Sequence, residues 1–137
     1  MRGGLLMTNE EKVQHWVNLA DYDMESAEVM LQAKRYLYVG FMCHQAVEKI
    51  FKAYFMKIKD KTPPHTHDLV GLAQKTGLFD LMAQQQKDYI RMLNPMNIET
   101  RYPEYKNKLA KMLTAEVSQN ILTKAKEIVQ WTKQMIY

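Results

Sequence analysis

The sequence predicts an all-α bundle of about five helices, and three observations carry that prediction. Apolar residues recur every three or four positions over long windows, the spacing that keeps them on one face of a helix. Met, Leu, Ala, Gln, Lys and Glu, all good helix formers, fill those windows, while the 137 residues include only five Gly and four Pro. No stretch of useful length alternates apolar with polar residues, and no internal repeat or low-complexity tract divides the chain. With 47% apolar residues, 137 positions are enough for one domain with a real core.

Each element has its own signature. Thr8-Asn9-Glu10-Glu11 has the form of a capping box, in which the Thr hydroxyl and the Glu carboxylate each satisfy a free backbone N–H. Val13, Trp16, Ala20, Met24, Ala27 and Leu31 follow at helical spacing, so a first helix is expected over about residues 9–33. Residues 1–7 are expected to form a loosely held extension, with Met7 as a second possible start. Asp21, Glu25 and Glu28 share one face of this helix and read as a solvated acidic surface, since no His joins them as a metal ligand.

A second helix is expected over residues 36–59, "YLYVGFMCHQAVEKIFKAYFMKIK". Val39, Cys43, Ala46, Val47, Ile50, Ala53 and Tyr54 form a broad apolar arc, and Leu37, Phe41, Phe51 and Phe55 lie on another side. A helix apolar on most sides is buried from most sides, so this is the central helix or one held between the core and a partner chain. His44, Glu48 and Lys52 fall among its apolar residues at i, i+4 spacing, with Gln45 and Lys49 alongside. Two readings of that set stand: a structural network that fixes the packing, or the polar wall of a cleft that also receives Arg101.

"KDKTPPHTHD" ends the second helix, because proline cannot continue it. Thr66 is the expected N-cap of a short third helix over about residues 67–75, which Gly77 closes. A fourth helix is expected over residues 80–93, weakened at Asn94-Pro95, and "NIETRYPEYK" follows as an irregular loop. Thr114 caps a last helix to about residue 135, with Ile121, Ala125, Ile128, Thr132 and Met135 as its inner stripe.

Composition narrows the function. The only cysteine, Cys43, allows neither an intrachain disulfide nor a Cys-based metal site, and a reducing cytoplasm is the expected setting. Cys43 lies in the apolar arc and reads as a core residue. "MRGGLLMTNEEK" has no long apolar run, so neither a signal peptide nor a membrane span is expected there. His65-x-His67 lacks a third ligand at a known spacing and reads as part of a helix start, so no metal or cofactor is expected. There is no Gly-rich phosphate loop, Gly-x-Ser-x-Gly elbow or Cys-x-x-Cys pair. Net charge is +4, but residues 1–33 hold two basic and six acidic residues and residues 34–137 hold seventeen and nine. The basic part is either a phosphate-attracting surface or a Lys-rich solvated one.

Three segments, "YVGFMCHQAVEKIFKAYF", "PPHTHDLVGLA" and "NIETRYPEY", resemble HEPN domains in their order and spacing, over about residues 10–136. The resemblance implies a mostly up-and-down five-helix bundle, paired as a homodimer, with a polar cleft at or near the dimer interface. It also implies one of three roles: partner of a minimal nucleotidyltransferase in a toxin–antitoxin-like module, metal-independent ribonuclease, or nucleotide binder. The ribonuclease branch carries an Arg followed four to six residues later by His. Arg101 stands in the matching place, but Tyr105, Lys106 and Asn107 occupy the positions where the His would be. A lysine at neutral pH is a poor proton shuttle. The expected function is therefore that of a non-catalytic or weakly active HEPN protein, a dimeric partner of a minimal nucleotidyltransferase that binds a nucleotide or RNA phosphate. Arg101, Lys49, Lys52 and Lys106 would meet the phosphate, Tyr102 or Tyr105 would pack on a base, and His44, Gln45 and Glu48 would orient the cleft. Tyr105 is also a candidate target for modification by the partner. Two alternatives stand beside this: a divergent ribonuclease using Tyr105 or His44, and an interaction module without a ligand in which Arg101 pairs with Glu48.

Overall fold

The computed structural model describes residues 6–97 and 102–137. Its elements are α1 (Asn9–Gln32), α2 (Tyr36–Lys59), α3 (Leu69–Lys75), α4 (Leu78–Leu81), α5 (Gln84–Leu93), a 3-10 turn (Asn94–Asn97), α6 (Pro103–Met112) and α7 (Ala115–Ile136). There is no strand among the described residues. The expectations for residues 1–5, for the loop at 98–100 and for Arg101 itself lie outside the described residues.

The three long helices form the frame. Thr8 caps α1 through the expected capping box, with its Oγ1 accepting from Glu11 N. Arg35 N donates to Met30 O at 2.8 Å, and Lys34 takes a left-handed φ of 60°, so the helix ends in the hydrogen-bonded reversal that usually employs glycine. α2 then runs back along α1. At the far end Asn9 Nδ2 donates both to Met56 O (3.0 Å) and to Asp60 Oδ1 (2.6 Å), joining the start of α1 to the end of α2. α7, capped by Thr114, lies antiparallel to α1: Lys126 pairs with Glu28, Lys133 with Asp21, and Tyr137 with Gln14. The acidic face of α1 is thus partly paired with lysines of α7 instead of standing free in solvent.

α2 is the central helix. It packs against α1, α7, α3, α5, α6 and the 3-10 turn, and every residue from 50 to 56 is buried. Two full turns enclosed on all sides are what its two apolar groups dictate. Gly40 lets the 3-10 turn close on α2: a Cβ there would sit 2.9 Å from Met96 Sδ. The short helices hang on few anchors. Leu69, Leu72, Leu78, Ile90 and Leu93 are almost fully buried, and each such side chain contributes about 1.5–3 kcal/mol. α6 buries only Leu109, with Leu113 just beyond its end.

Three boundaries differ from the sequence expectation. The third helix begins at Leu69 with Asp68 as its cap, its carboxylate accepting from Gly71 N, while Thr66 Oγ1 accepts from Asp68 N one step earlier. The fourth helix is two pieces. Gly77, at φ 78°, starts α4, and Met82 and Ala83 are extended before α5 begins. The expected irregular loop becomes helical at Pro103, which supplies the fixed φ favoured in a first turn. In α7 the innermost last residue is Ile136, with Met135 half-buried.

Candidate functional site

The helical repeat places His44, Glu48 and Lys52 one above another on α2. Glu48 is the hub, with its side chain only 4% exposed. Its Oε2 accepts from Lys52 Nζ at 2.9 Å, and its Oε1 accepts from His67 Nδ1 at 2.8 Å. The Lys52 ammonium also lies 5.7 Å from the centre of the Trp16 ring on α1, a cation–π contact. A buried carboxylate would be strongly unfavourable alone; here each of its oxygens has a donor.

The two histidines play opposite parts. His44 is fully buried, and its Nε2 lies 3.0 Å from His67 O. A carbonyl only accepts, so Nε2 carries the proton, and Nδ1 is a bare lone pair without a hydrogen-bond partner, 3.8 Å from Glu48 Oε1. Burial lowers the pKa of His44 to about 4, against the raising influence of Glu48 and of the His67 carbonyl. It is neutral near pH 7 and closed off from any ligand. His67 is the reverse: its side chain is 64% exposed, yet Nδ1 is pinned to the buried Glu48. Its Nδ1 therefore donates, and Nε2 is the ring atom left for something else.

Beside this ring is a shallow hollow of about 450 Å³ lined by His67, Asp68, Arg91, Asn94, Pro95 and Asn97. Asn94 locks its floor. It accepts from Leu69 N at 2.8 Å and donates to Asp68 Oδ1 at 3.0 Å. The Gly71 N–H and the Asn94 amide hold the Asp68 carboxyl below its ordinary range. Arg91 lies over Phe79 of α4, its guanidinium carbon 5.3 Å from the ring centre, with Asp88 a loose partner at 3.6 Å. Among the described residues no group of three His, Cys, Asp or Glu is placed to hold a metal ion.

The other residues singled out in the sequence are distributed as follows. Lys49 pairs with the buried Asp23 of α1. Gln45 is half-buried. Tyr102 is 56% exposed at the N-cap of α6. Tyr105 packs against the core, and burial raises the pKa of its phenol. Lys106 is exposed in the first turn of α6. Arg101 lies outside the described residues, and Asn97, four positions before it, lines the hollow. Cys43 is a core residue whose thiol burial pushes up to about 12. Sequence reasoning weighed His67 only as a metal ligand beside His65 or as part of a helix start and missed its bond to Glu48, and it missed Arg91. A signal for His67 existed: a buried His–Glu–Lys ladder needs partners from elsewhere, and the first ionisable groups after the Pro-Pro break were candidates. Nothing in the sequence marked Arg91.

These features describe an all-α bundle built round one apolar central helix, with a polar ladder set into that helix. The HEPN domain family matches residues 13–135, and the chain belongs to it. Its fold is similar to that of TT1696 from Thermus thermophilus, at 18% identity and a TM-score of 0.75, covering 90% of this chain and 97% of that one. It is also similar to ST0689, an archaeal HEPN homologue, at 17% identity and a TM-score of 0.65, covering 91% and 98% respectively. No curated protein matches the sequence. No helix among the described residues is long and apolar enough to cross a membrane.

Proposed function

We propose that this HEPN protein binds the phosphate of a nucleotide or an RNA at the polar edge of α2, without cleaving it. We further propose that it does so as a homodimer, as the partner of a minimal nucleotidyltransferase in a toxin–antitoxin-like module in the cytoplasm. The observation that carries the binding reading is the Glu48 hub: a buried carboxylate holding one ammonium and one exposed imidazole in fixed positions. Of the three, His67 reaches the surface hollow, and a polar group fixed at its rim is what orients a small charged ligand. Arg101 is the proposed principal phosphate contact, with Lys52 and Lys106 supporting it and Tyr102 available to a base. Lys49 and Lys52 are the weakest members of the set, because Asp23 and Glu48 already neutralise them.

The non-catalytic part of the proposal rests on proton transfer. Neither proposed substitute for the absent histidine suits the task. His44 has its proton committed to a carbonyl and its ring sealed from solvent. The Tyr105 phenol has a pKa raised by burial and holds its proton near neutral pH. The test is a thermal-shift and calorimetric screen of nucleotides and short RNAs. Wild type is expected to bind, and Arg101→Ala to bind at least about tenfold more weakly, the loss typical of one charge-assisted contact. Equal affinity in the two proteins would remove Arg101 from the site. Cleavage of RNA that disappears in Arg101→Ala would replace binding with catalysis.

A further inference from the structure

We infer that the hollow between the start of α3 and the end of α5 is a subsite for a terminal phosphate group, gripped by His67 Nε2 on one side and by the Arg91 guanidinium on the other. The inference rests on the phosphate reading above but assigns different residues: Arg91 lies outside the three HEPN-like segments, and His67, though within one of them, was not among the phosphate candidates. Its basis is which polar atoms of the hollow are already occupied. Asn94 uses its amide oxygen on Leu69 N and its amide nitrogen on Asp68. Asp68 Oδ1 accepts from Gly71 N at 3.1 Å as well, which holds the carboxylate in place but keeps it charged, so the Arg91 guanidinium has to outweigh one negative charge for a phosphate to enter. Pro95 has no N–H. The polar groups of the hollow left to meet a ligand are His67 Nε2, the Arg91 fork and the Asn97 amide, and the guanidinium is the fixed cation among them.

Both are pre-positioned. An exposed histidine on a loop ordinarily samples several rotamers; the bond to the buried Glu48 removes that freedom before any ligand arrives. Phe79 supports Arg91, its ring centre 5.3 Å from the guanidinium carbon. Arg presents a planar fork that matches two phosphate oxygens. The ring chemistry favours a terminal phosphate, which can bring its own proton, over an internal diester, which is held only when the ring supplies it. With Nδ1–H donated to Glu48, a neutral His67 offers only a lone pair at Nε2. One proton must therefore lie between Nε2 and a phosphate oxygen, carried in by the ring or by the ligand. A terminal phosphate, whose second pKa is about 6, can share that proton near neutral pH, and an internal diester cannot supply one. The charged and titratable groups around the ring are His44, Glu48 and Lys52 of α2, Asp68 at the start of α3 and Arg91 of α5.

The experiment is calorimetric titration of the full chain with inorganic phosphate, adenosine, adenosine monophosphate, and one short oligoribonucleotide with and without a 5′-phosphate. Adenosine monophosphate or the 5′-phosphorylated oligonucleotide is expected to bind at least about tenfold more tightly than its unphosphorylated counterpart. Which of the two binds better tells a free nucleotide from an RNA end. His67→Gln and Arg91→Ala are each expected to lose about tenfold, the scale of a charge-assisted contact. Both side chains are exposed, and Arg91 anchors nothing in the core, so Arg91→Ala remains informative if His67→Gln unfolds. Glu48→Gln supplies a second readout: ¹⁵N–¹H correlation shows the Nδ1–H form of the His67 ring in wild type and a mixture in the variant. Equal binding with and without the terminal phosphate, or wild-type affinity in both His67→Gln and Arg91→Ala, overturns the subsite. If those two bind normally while Arg101→Ala does not, the subsite fails and the broader phosphate reading stands. If no phosphorylated probe binds wild type, both fail.

Discussion

The two flanks of α2 handle charge in opposite ways. On the side of α1 and α7, acids and lysines cancel across helices: Asp23 with Lys49, Glu28 with Lys126, Asp21 with Lys133. On the side of the short helices, cations face outward with few partners. Arg91 and Lys87 rest on Phe79, His67 sits at the rim of a hollow, and Lys106, Lys108 and Lys111 are exposed on α6. This contrast explains the uneven charge of the sequence. Part of the basic surplus after residue 33 serves the acidic first helix, so it is architecture. The exposed remainder includes Lys106, Lys108 and Lys111 of α6, Lys57 and Lys59 at the end of α2, and Lys61 just beyond it.

Three measurements put that contrast to the test. The largest effect belongs at the hub between the flanks. Glu48→Ala leaves the Lys52 ammonium, whose side chain is 9% exposed, without its carboxylate, and is expected to lower stability by about 3–5 kcal/mol, the range for breaking a buried pair from one side. Urea denaturation measures it, and a loss under about 1 kcal/mol would make the hub no different from a surface pair. The second effect is acid lability. His44 has a folded-state pKa of about 4 against an ordinary 6.5, so the unfolded chain binds its proton first as pH falls. Its contribution is therefore fully present above pH 6.5 and is lost as pH drops from there towards 4, by about 3 kcal/mol. A His44→Asn protein, compared with wild type over that window, should show a flatter stability profile; parallel profiles would mean the ring titrates normally. The smallest effect is on the paired flank. Lys133→Ala, which removes a partly exposed partner of Asp21, is expected to lose less than about 1 kcal/mol, and less again in high salt. A loss above about 2 kcal/mol would place that pair in the class of the hub.

Much of the fold was legible because its signals are local. The capping box at Thr8, the Thr114 cap and the all-round apolarity of α2 each reside within one segment, and each appears in the structure where expected. The cap of α3 was misread because Thr66 and Asp68 are both able caps. Asn94, twenty-six residues further on, bonds Asp68 and tips the choice. The break between α4 and α5 carries no proline, so no local residue announces it. The site was legible by half. The ladder of His44, Glu48 and Lys52 follows from helical spacing alone, but the contact of His67 with Glu48 crosses a proline-rich turn, and Arg91 reaches the hollow only through the packing of α5.

The amide of Asn9, joined to Met56 and Asp60, also bears on how the chain assembles. It closes a hairpin whose ends are 51 residues apart in sequence. The reversal at Lys34 closes the other end. Everything needed to align α1 with α2 therefore lies before residue 61, and the loop-closure entropy of that pairing is met within one contiguous segment. The long-range step left to the remainder of the chain is delivery of α7 to a surface that the hairpin has already formed, a folding order with low contact order at its start.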